Sequence, residues 1–380
     1  MRSHSLATSE LDYALDHSLI ASMPAEPRDH ARMLVFHQAS GRIEHRIVAD
    51  LPEYLPRGSS MIVNETRVAP MRFVAKRTSD ERVTEGLFLS RAAENRWIVL
   101  LKSAKKFHSG DRLELTPADG CVAAGRDTIT LHARREMAWE VALEEGEDAP
   151  QLWQRSGRTP LPPYIVQSRR AMGIGEPCDE LDRVRYQTRF ARQSDLPSCA
   201  APTAGLHFTD GLLERIDAAG VDRVSVELQV GRGTFRPVEA ELLSDHPMHH
   251  ERCRISAEGV VALSTLNRDV SLVIGTTSVR LLESLPRPLP PQIVAAAGAM
   301  VAAGTPRAPV MDFPTNILIA PGFEFQWTRR LLTNFHLPRS TLLALVGALV
   351  GLEQLKELYA IAQQERYRFY SFGDAMLLQP

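Results

Sequence analysis

Cysteine is scarce in this sequence. Four occur in 380 residues (Cys121, Cys178, Cys199 and Cys253), with no CxxC pair and no His/Cys spacing of a metal site. That excludes a disulfide framework and a zinc ligand set, and it fits a reducing cytoplasm. Long apolar runs are also missing. The longest, Leu342 to Leu352, falls well short of the ~20 residues needed to cross a bilayer. The opening residues carry Asp12, Asp16, His17 and Glu26 without a continuous apolar stretch, which excludes a signal peptide. Neither charge dominates: 44 Lys and Arg stand against 46 Asp and Glu, a net charge of −2. A protein that holds nucleic acid by bulk charge looks different, although a local basic patch is compatible with these numbers. The expectation is a soluble cytoplasmic protein with no membrane contact and no metal, present as a monomer or homodimer.

What is present is ample core material. Apolar residues make up 44% and charged residues 24%, and the length exceeds the usual ceiling for one hydrophobic core, so two domains are expected. After the strand-like run Met61 to Val63 the character changes. Segments 85–89, 97–101, 112–115 and 128–131 alternate apolar and polar residues between polar turns, the pattern of an antiparallel barrel or sandwich. Pro160-Leu161-Pro162-Pro163 marks its end. Beyond it, strands (Val224 to Val230, Ser271 to Ile274) alternate with helices. One helix runs from Gly211 to Ala219 with Asp210 as N-cap and Gly220 as stop; another runs from Ser278 to Ser284. The longest spans Ser340 to Tyr359, and Pro286 to Pro309 reads as a mobile loop. This predicts an α/β protein, with a large mixed α/β domain formed by residues 1–63 and 159–380 and a smaller one at 64–158.

Chemistry-bearing residues gather at the predicted strand ends, where open α/β sheets bind ligands. The clusters are Asn64 to Arg67; Ala201 to Thr209, with Thr203, Gly205 and His207; Gly231 to Pro237, with Gly233 and Thr234, followed by His249 to Glu251; Gly275 to Arg280, with Thr276 and Thr277; and Thr333 to Pro338, with Asn334 and His336. Singly, each has a plainer reading. A Gly-x-Gly is ordinarily a turn, Gly205 could serve only a positive φ, and His207 and His336 each sit beside a Phe, as core histidines do. Five clusters together are another matter, because turns do not repeatedly need His, Asn and Arg beside Gly-Thr.

The strings APTAGLHFT, VGRGTFRPV, GTTSVRLLES and TNFHLPRSTLLALV resemble the S-adenosylmethionine:tRNA ribosyltransferase-isomerase family of queuosine biosynthesis. EPRDHARMLVF, NETRVAPMR, PLPPYI, RYQT and RYRFYSFGDAML do so too, so the likeness runs from about residue 10 to the C-terminus. It implies a large α/β domain with a small inserted antiparallel β-barrel domain. It also implies transfer of the ribosyl part of S-adenosylmethionine to the aminomethyl group of a 7-deazaguanine in tRNA. The sugar rearranges to an epoxycyclopentane, adenine and methionine leave, and no cofactor is needed beyond S-adenosylmethionine. Such chemistry requires a base near C5′, whose proton the sulfonium acidifies, and donors for the ribose hydroxyls and adenine. His207, His249 and Glu251 are the candidates for proton transfer. Arg67, Arg280, Thr203 and Asn334 are candidate donors, and Asn64, Gly205, Gly231, Gly233, Thr234, Thr276, Thr277 and His336 complete the expected binding set.

Several positions depart from the family pattern. Glu227-Leu228-Gln229 stands where Thr-Leu-His is expected, so an amide that cannot move protons replaces an imidazole. Arg232 replaces a small apolar residue and His250 a serine. Phe313-Pro314-Thr315-Asn316 replaces Gly-x-Thr-Asp, and Glu81-Arg82 replaces a Gly-Gly pair in the barrel. Neutral drift in a distant member of the family is one reading of these changes, and two other functions stand beside the first. One is a same-fold enzyme that uses a small-molecule acceptor or merely cleaves S-adenosylmethionine; the other is a non-catalytic nucleotide- or RNA-binding protein.

Overall fold

In the computed structural model, the described residues are 6–117, 127–136, 138–144, 149–174, 179–231 and 237–380. Cys121, Cys178, Arg232, Gly233 and Thr234 lie outside them. The chain forms two compact units. The first comprises Met1–Arg67, Pro163–Ser168 and Thr188–Pro380, and the second Val68–Pro162 and Arg169–Gln187. The second therefore takes in 169–187, a stretch that boundaries at 64 and 158 assign elsewhere.

The strands, in chain order, are β1 (Arg32–His37), β2 (Arg42–Ile47), β3 (Ser60–Asn64), β4 (Arg72–Arg77), β5 (Val83–Ala93), β6 (Arg96–Leu101), β7 (Arg112–Leu115) and β8 (Thr128–Arg135). They continue with β9 (Ala138–Leu143), β10 (Gly157–Arg158), β11 (Asp222–Leu228), β12 (Glu251–Ser256), β13 (Leu272–Ile274), β14 (Pro309–Thr315), β15 (Leu331–Asn334) and β16 (Ala375–Gln379).

The first unit is built on a nine-stranded mixed sheet in the order β14-β12-β11-β3-β13-β15-β16-β1-β2. Its central strands β11, β3, β13 and β15 run parallel. β3 and β13 are apolar on both faces, as burial from both sides demands, whereas β11 alternates apolar with polar residues. On one face Leu34, Ile62, Val273, Leu331 and Met376 enter one core cluster. On the other, Met33, Met61, Val63, Leu272 and Leu332 enter a second. The parallel run brings the carboxyl ends of four strands to a single edge, at Leu228, Asn64, Ile274 and Asn334.

In the second unit β4-β5-β6-β9-β8-β7 pair antiparallel in that order, and β7 returns to β4. The six strands thus close into a barrel, which removes both sheet edges. Alternate residues such as Phe73, Phe88, Val99, Leu113, Ile129 and Val141 are buried. Gly86 is required by the Phe73 ring, whose Cζ lies 2.1 Å from where a β-carbon would stand. Trp97 meets Trp153 edge-on at 4.9 Å, and Phe88 lies 5.9 Å from Trp153.

Three expectations about elements are corrected. Residues 291–302 of the expected loop form a helix, Pro291–Ala302, as its Ala-rich composition favours once Pro occupies the first turn. The expected long helix breaks at Gly351, whose φ of 90° separates Thr341–Val350 from Leu352–Gln364. Finally, Thr209 rather than Asp210 caps the helix Asp210–Ala218, its hydroxyl accepting from Leu212 N at 3.1 Å.

Candidate active site

The carboxyl edge of the parallel strands opens into a cleft. It is lined by the 201–204 turn, Gly275 to Thr277, Thr333 to Leu337, Ser340, Tyr164, Tyr370 and Ser371. Three of the sequence clusters meet here, in one unit. Gly275 makes the turn from β13 into the helix Thr276–Glu283 with φ 81°, a conformation glycine adopts without strain. The first-turn N–H groups of that helix have no partner within it, so its start is a ready donor surface. Gly205 serves close packing, not a positive φ: an added β-carbon would lie 3.0 Å from Thr188 Cγ2 and 3.2 Å from Phe190.

Asn64 holds the frame rather than the cleft surface. Its Oδ1 accepts from Thr66 N (3.0 Å) and Leu228 N (3.2 Å), while Nδ2 donates to Leu228 O (3.0 Å). Thr66 and Ser198 extend the tie, with hydroxyls 2.6 Å apart and Ser198 accepting from Val230 N at 2.8 Å. This fixes the ends of β3 and β11 relative to each other.

At the cleft floor Asn334 is 2% exposed. Its Nδ2 donates to Tyr370 O at 3.0 Å and lies 3.3 Å from His207 Nε2, while Oδ1 is buried with no hydrogen-bond partner among the described residues. Burial pushes the His207 imidazole down to about 4, so the ring is neutral near pH 7 and its Nε2 accepts the amide hydrogen. Thr333 Oγ1 and His336 Nε2 are 2.9 Å apart, and burial takes His336 to about 3. The backbone of His336 is pinned at both ends, donating to Tyr359 Oη at 2.8 Å and accepting from Tyr13. Tyr370 has φ 71°, rare for a bulky residue. Its ring packs 4.7 Å from Tyr164, whose hydroxyl bonds Ser371.

The remaining candidates sit apart from this floor. Glu251 and Arg280 form a buried ion pair, 4% and 6% exposed. The Glu251 carboxylate also accepts from Gly231 N at 3.1 Å, and Arg280 Nε donates to Ile317 O at 3.4 Å. Arg280 Nη2 is buried without a hydrogen bond among the described residues. A carboxylate so committed is a scaffold for the 231 turn before it is a base. His249 and Arg67 are exposed. Of the three proton-transfer candidates, His207 is buried at the cleft floor against Asn334, Glu251 is held by Arg280 and Gly231 N, and His249 is exposed. The sequence clusters include Thr333 but not Tyr164, Tyr370 and Ser371, although PLPPYI and RYRFYSFGDAML contain them.

Of the described departures, Glu227, Phe313 and Pro314 lie on β11 and β14 and Gln229, His250 and Asn316 just beyond the ends of β11, β12 and β14, while Glu81 and Arg82 are in the barrel unit. Glu227 pairs with Arg254 across β11 and β12, and Arg254 pairs with Asp312 on β14. Gln229 follows the end of β11, its amide donating to Pro197 O at 2.6 Å. His250 and Asn316 flank the Glu251–Thr315 pair and are both exposed. Among the described residues no group of three or more His, Cys, Asp or Glu is arranged to hold a metal, and no helix is long and apolar enough to cross a membrane.

A mixed sheet covered on both faces, with a cleft at the carboxyl edge of its parallel strands, and a separate closed antiparallel barrel define an α/β protein of two units. A family model described as "Queuosine biosynthesis protein" matches residues 8–378, and the chain belongs to that family. It is 41% identical over 374 residues to the S-adenosylmethionine:tRNA ribosyltransferase-isomerase of Symbiobacterium thermophilum, covering 97% of this chain and 99% of that one. Its identity to the protein of the same name from Rubrobacter xylanophilus is 39%, with 98% of each chain covered. To that of a Bradyrhizobium species it is 40%, covering 98% and 97%. A crystal structure of S-adenosylmethionine tRNA ribosyltransferase from Thermotoga maritima is 29% identical, with a TM-score of 0.47, over 97% of this chain and 100% of that one.

Proposed function

We propose that this protein is an S-adenosylmethionine:tRNA ribosyltransferase-isomerase, acting in the cytoplasm. It moves the ribosyl group of S-adenosylmethionine onto the aminomethyl nitrogen of a 7-deazaguanine in tRNA, forming epoxyqueuosine and releasing adenine and methionine. The observation that carries this reading is the meeting of the Ala201–Ala204, Gly275–Thr277 and Thr333–Leu337 turns around one cleft. These are segments of the strings most similar to the family. In this reading the adenosyl group lies between the Tyr164/Tyr370 side and the Gly275 turn, with Thr203, Thr276 and Thr277 offering donors. His207 and His336 enter as neutral rings. No metal or second cofactor takes part in the reading.

The acceptor rests on kinship rather than on charge. A broad groove of the same unit carries Arg189, Arg192, Arg223 and Arg307, but also Asp217, Asp222 and Glu258. The test is incubation with S-adenosylmethionine, with and without tRNA bearing 7-aminomethyl-7-deazaguanine, followed by mass spectrometry of tRNA, adenine and methionine. Epoxyqueuosine in the tRNA is expected only when both substrates are present. Adenine release without tRNA modification would support a small acceptor or simple cleavage, a reading favoured by the departures on and beside the ends of β11, β12 and β14. No adenine release under either condition would leave a binding protein.

A further inference from the structure

A buried polar atom without a partner costs free energy unless a ligand supplies one. Among the described residues Asn334 Oδ1 is such an atom, on a side chain that lines the cleft. The orientation of its amide is not free. The Tyr370 carbonyl oxygen can only accept, so the atom 3.0 Å from it must be the nitrogen. The same nitrogen faces His207 Nε2 at 3.3 Å, and that ring is buried and neutral. Both amide hydrogens are thereby assigned, one to Tyr370 O and one to His207 Nε2, and the oxygen is left as a fixed, desolvated acceptor. It asks for an N–H or O–H donor.

The surroundings narrow the donor. Ala201, Ala204, Val230, Phe335, Leu342 and the Tyr370 ring give the cleft apolar walls suited to a flat ring. The start of the Thr276 helix presents main-chain N–H groups beside the same floor. An acceptor next to donors complements the edge of an aminopurine, where an exocyclic amine adjoins ring nitrogens. We propose that Asn334 selects the adenine base in this cleft. Its Oδ1 accepts from the 6-amino group, while His207 and the Tyr370 carbonyl act as positioning partners that prevent the amide from turning over. This rests on the reading that S-adenosylmethionine occupies the cleft, and it gives His207 the role of holding an acceptor in place of removing a proton.

The experiment measures binding of S-adenosylmethionine, and of its analogue with hydrogen in place of the 6-amino group, by calorimetry without tRNA. The wild-type protein is expected to prefer S-adenosylmethionine by about tenfold or more, the effect of leaving a buried acceptor unpaired. Asn334→Ala should bind the two within about twofold. His207→Ala should also lower the preference while leaving affinity for the deamino analogue nearly unchanged, whereas general damage to the cleft would weaken both ligands alike. Equal binding of the two by the wild-type protein overturns the proposal without any variant, as does full preference retained in a folded Asn334→Ala. Failure of the wild-type protein to bind S-adenosylmethionine at all would overturn the reading of the cleft together with this one.

Discussion

Two imidazoles lie against the cleft, and burial holds both neutral: His207 at about 4 and His336 at about 3, against an ordinary 6.5. As pH falls, the unfolded chain therefore takes up these protons before the folded one does. The stability associated with the two rings is complete above pH 6.5 and is lost towards 4 and 3. The slope approaches about 1.4 kcal/mol per pH unit for each ring. The urea midpoint should fall between pH 6.5 and 4.5, and His336→Gln should flatten that fall; an unchanged slope would show that the ring is not buried neutral. Glu81 makes a second residue-scale case. It holds φ 58° where the family pattern has glycine, a conformation that costs an L-residue ~1–2 kcal/mol. Glu81→Gly should raise barrel stability by about 0.5–1 kcal/mol, net of glycine's greater chain entropy, as read from its thermal midpoint. Of the residues that line the cleft, Thr203, Thr276, Thr277, Asn334 and His336 were legible because they fall in Gly-Thr and Asn-x-His clusters at predicted strand ends. The buried staple of Asn64 was not, since a satisfied amide and a ligand-binding amide share the same letter.

Apart from Glu81 and Arg82 in the barrel unit, the described departures lie on or next to the ends of the adjoining strands β11, β12 and β14. Antiparallel pairing puts Glu227, Arg254 and Asp312 in one row, with Gln229 and the His250–Asn316 positions further along. If this edge meets the acceptor, Gln229→His and Asn316→Asp should change acceptor choice by about tenfold to a hundredfold and leave S-adenosylmethionine affinity close to wild type. Competition assays between modified tRNA and small amines would show it, and a loss confined to S-adenosylmethionine binding would refute it. Elements were read from sequence where periodicity was strong, as for the helix after Gly275 and the alternating barrel strands. They were misread where one residue type has two uses. Alanine, glycine and proline between 286 and 309 suggest a loop by composition, yet build a helix once Pro291 starts it. Gly351 sits in an apolar run of unbroken helical period, and only its left-handed backbone reveals the break.

At the scale of the whole molecule, we propose that the barrel unit is a separable domain and that its folding needs more than its strands. Asp179 accepts from Thr159 N at 2.7 Å, Arg183 donates to Gly157 O at 2.6 Å, and Arg169 forms a buried pair with Asp182 at 2.7 Å. A fragment of residues 68–187 should melt cooperatively, whereas 68–158 should not, as followed by circular dichroism; equal melting would place these ties outside the folding unit. Two units and a mixed main sheet could be read from periodicity, but barrel or sandwich could not, because the choice turns on the single long-range pairing of β7 with β4. The distribution of tryptophans between the two units has a spectroscopic consequence. Trp97, Trp139 and Trp153 all belong to the barrel unit, and Trp327, bonded to Leu285 O and covered by Arg287, is the one in the other. Intrinsic fluorescence is therefore dominated by the barrel. Replacing Trp327 with Phe would turn the emission into a reporter of that unit alone, while a protein keeping only Trp327 would report the unit that holds the cleft.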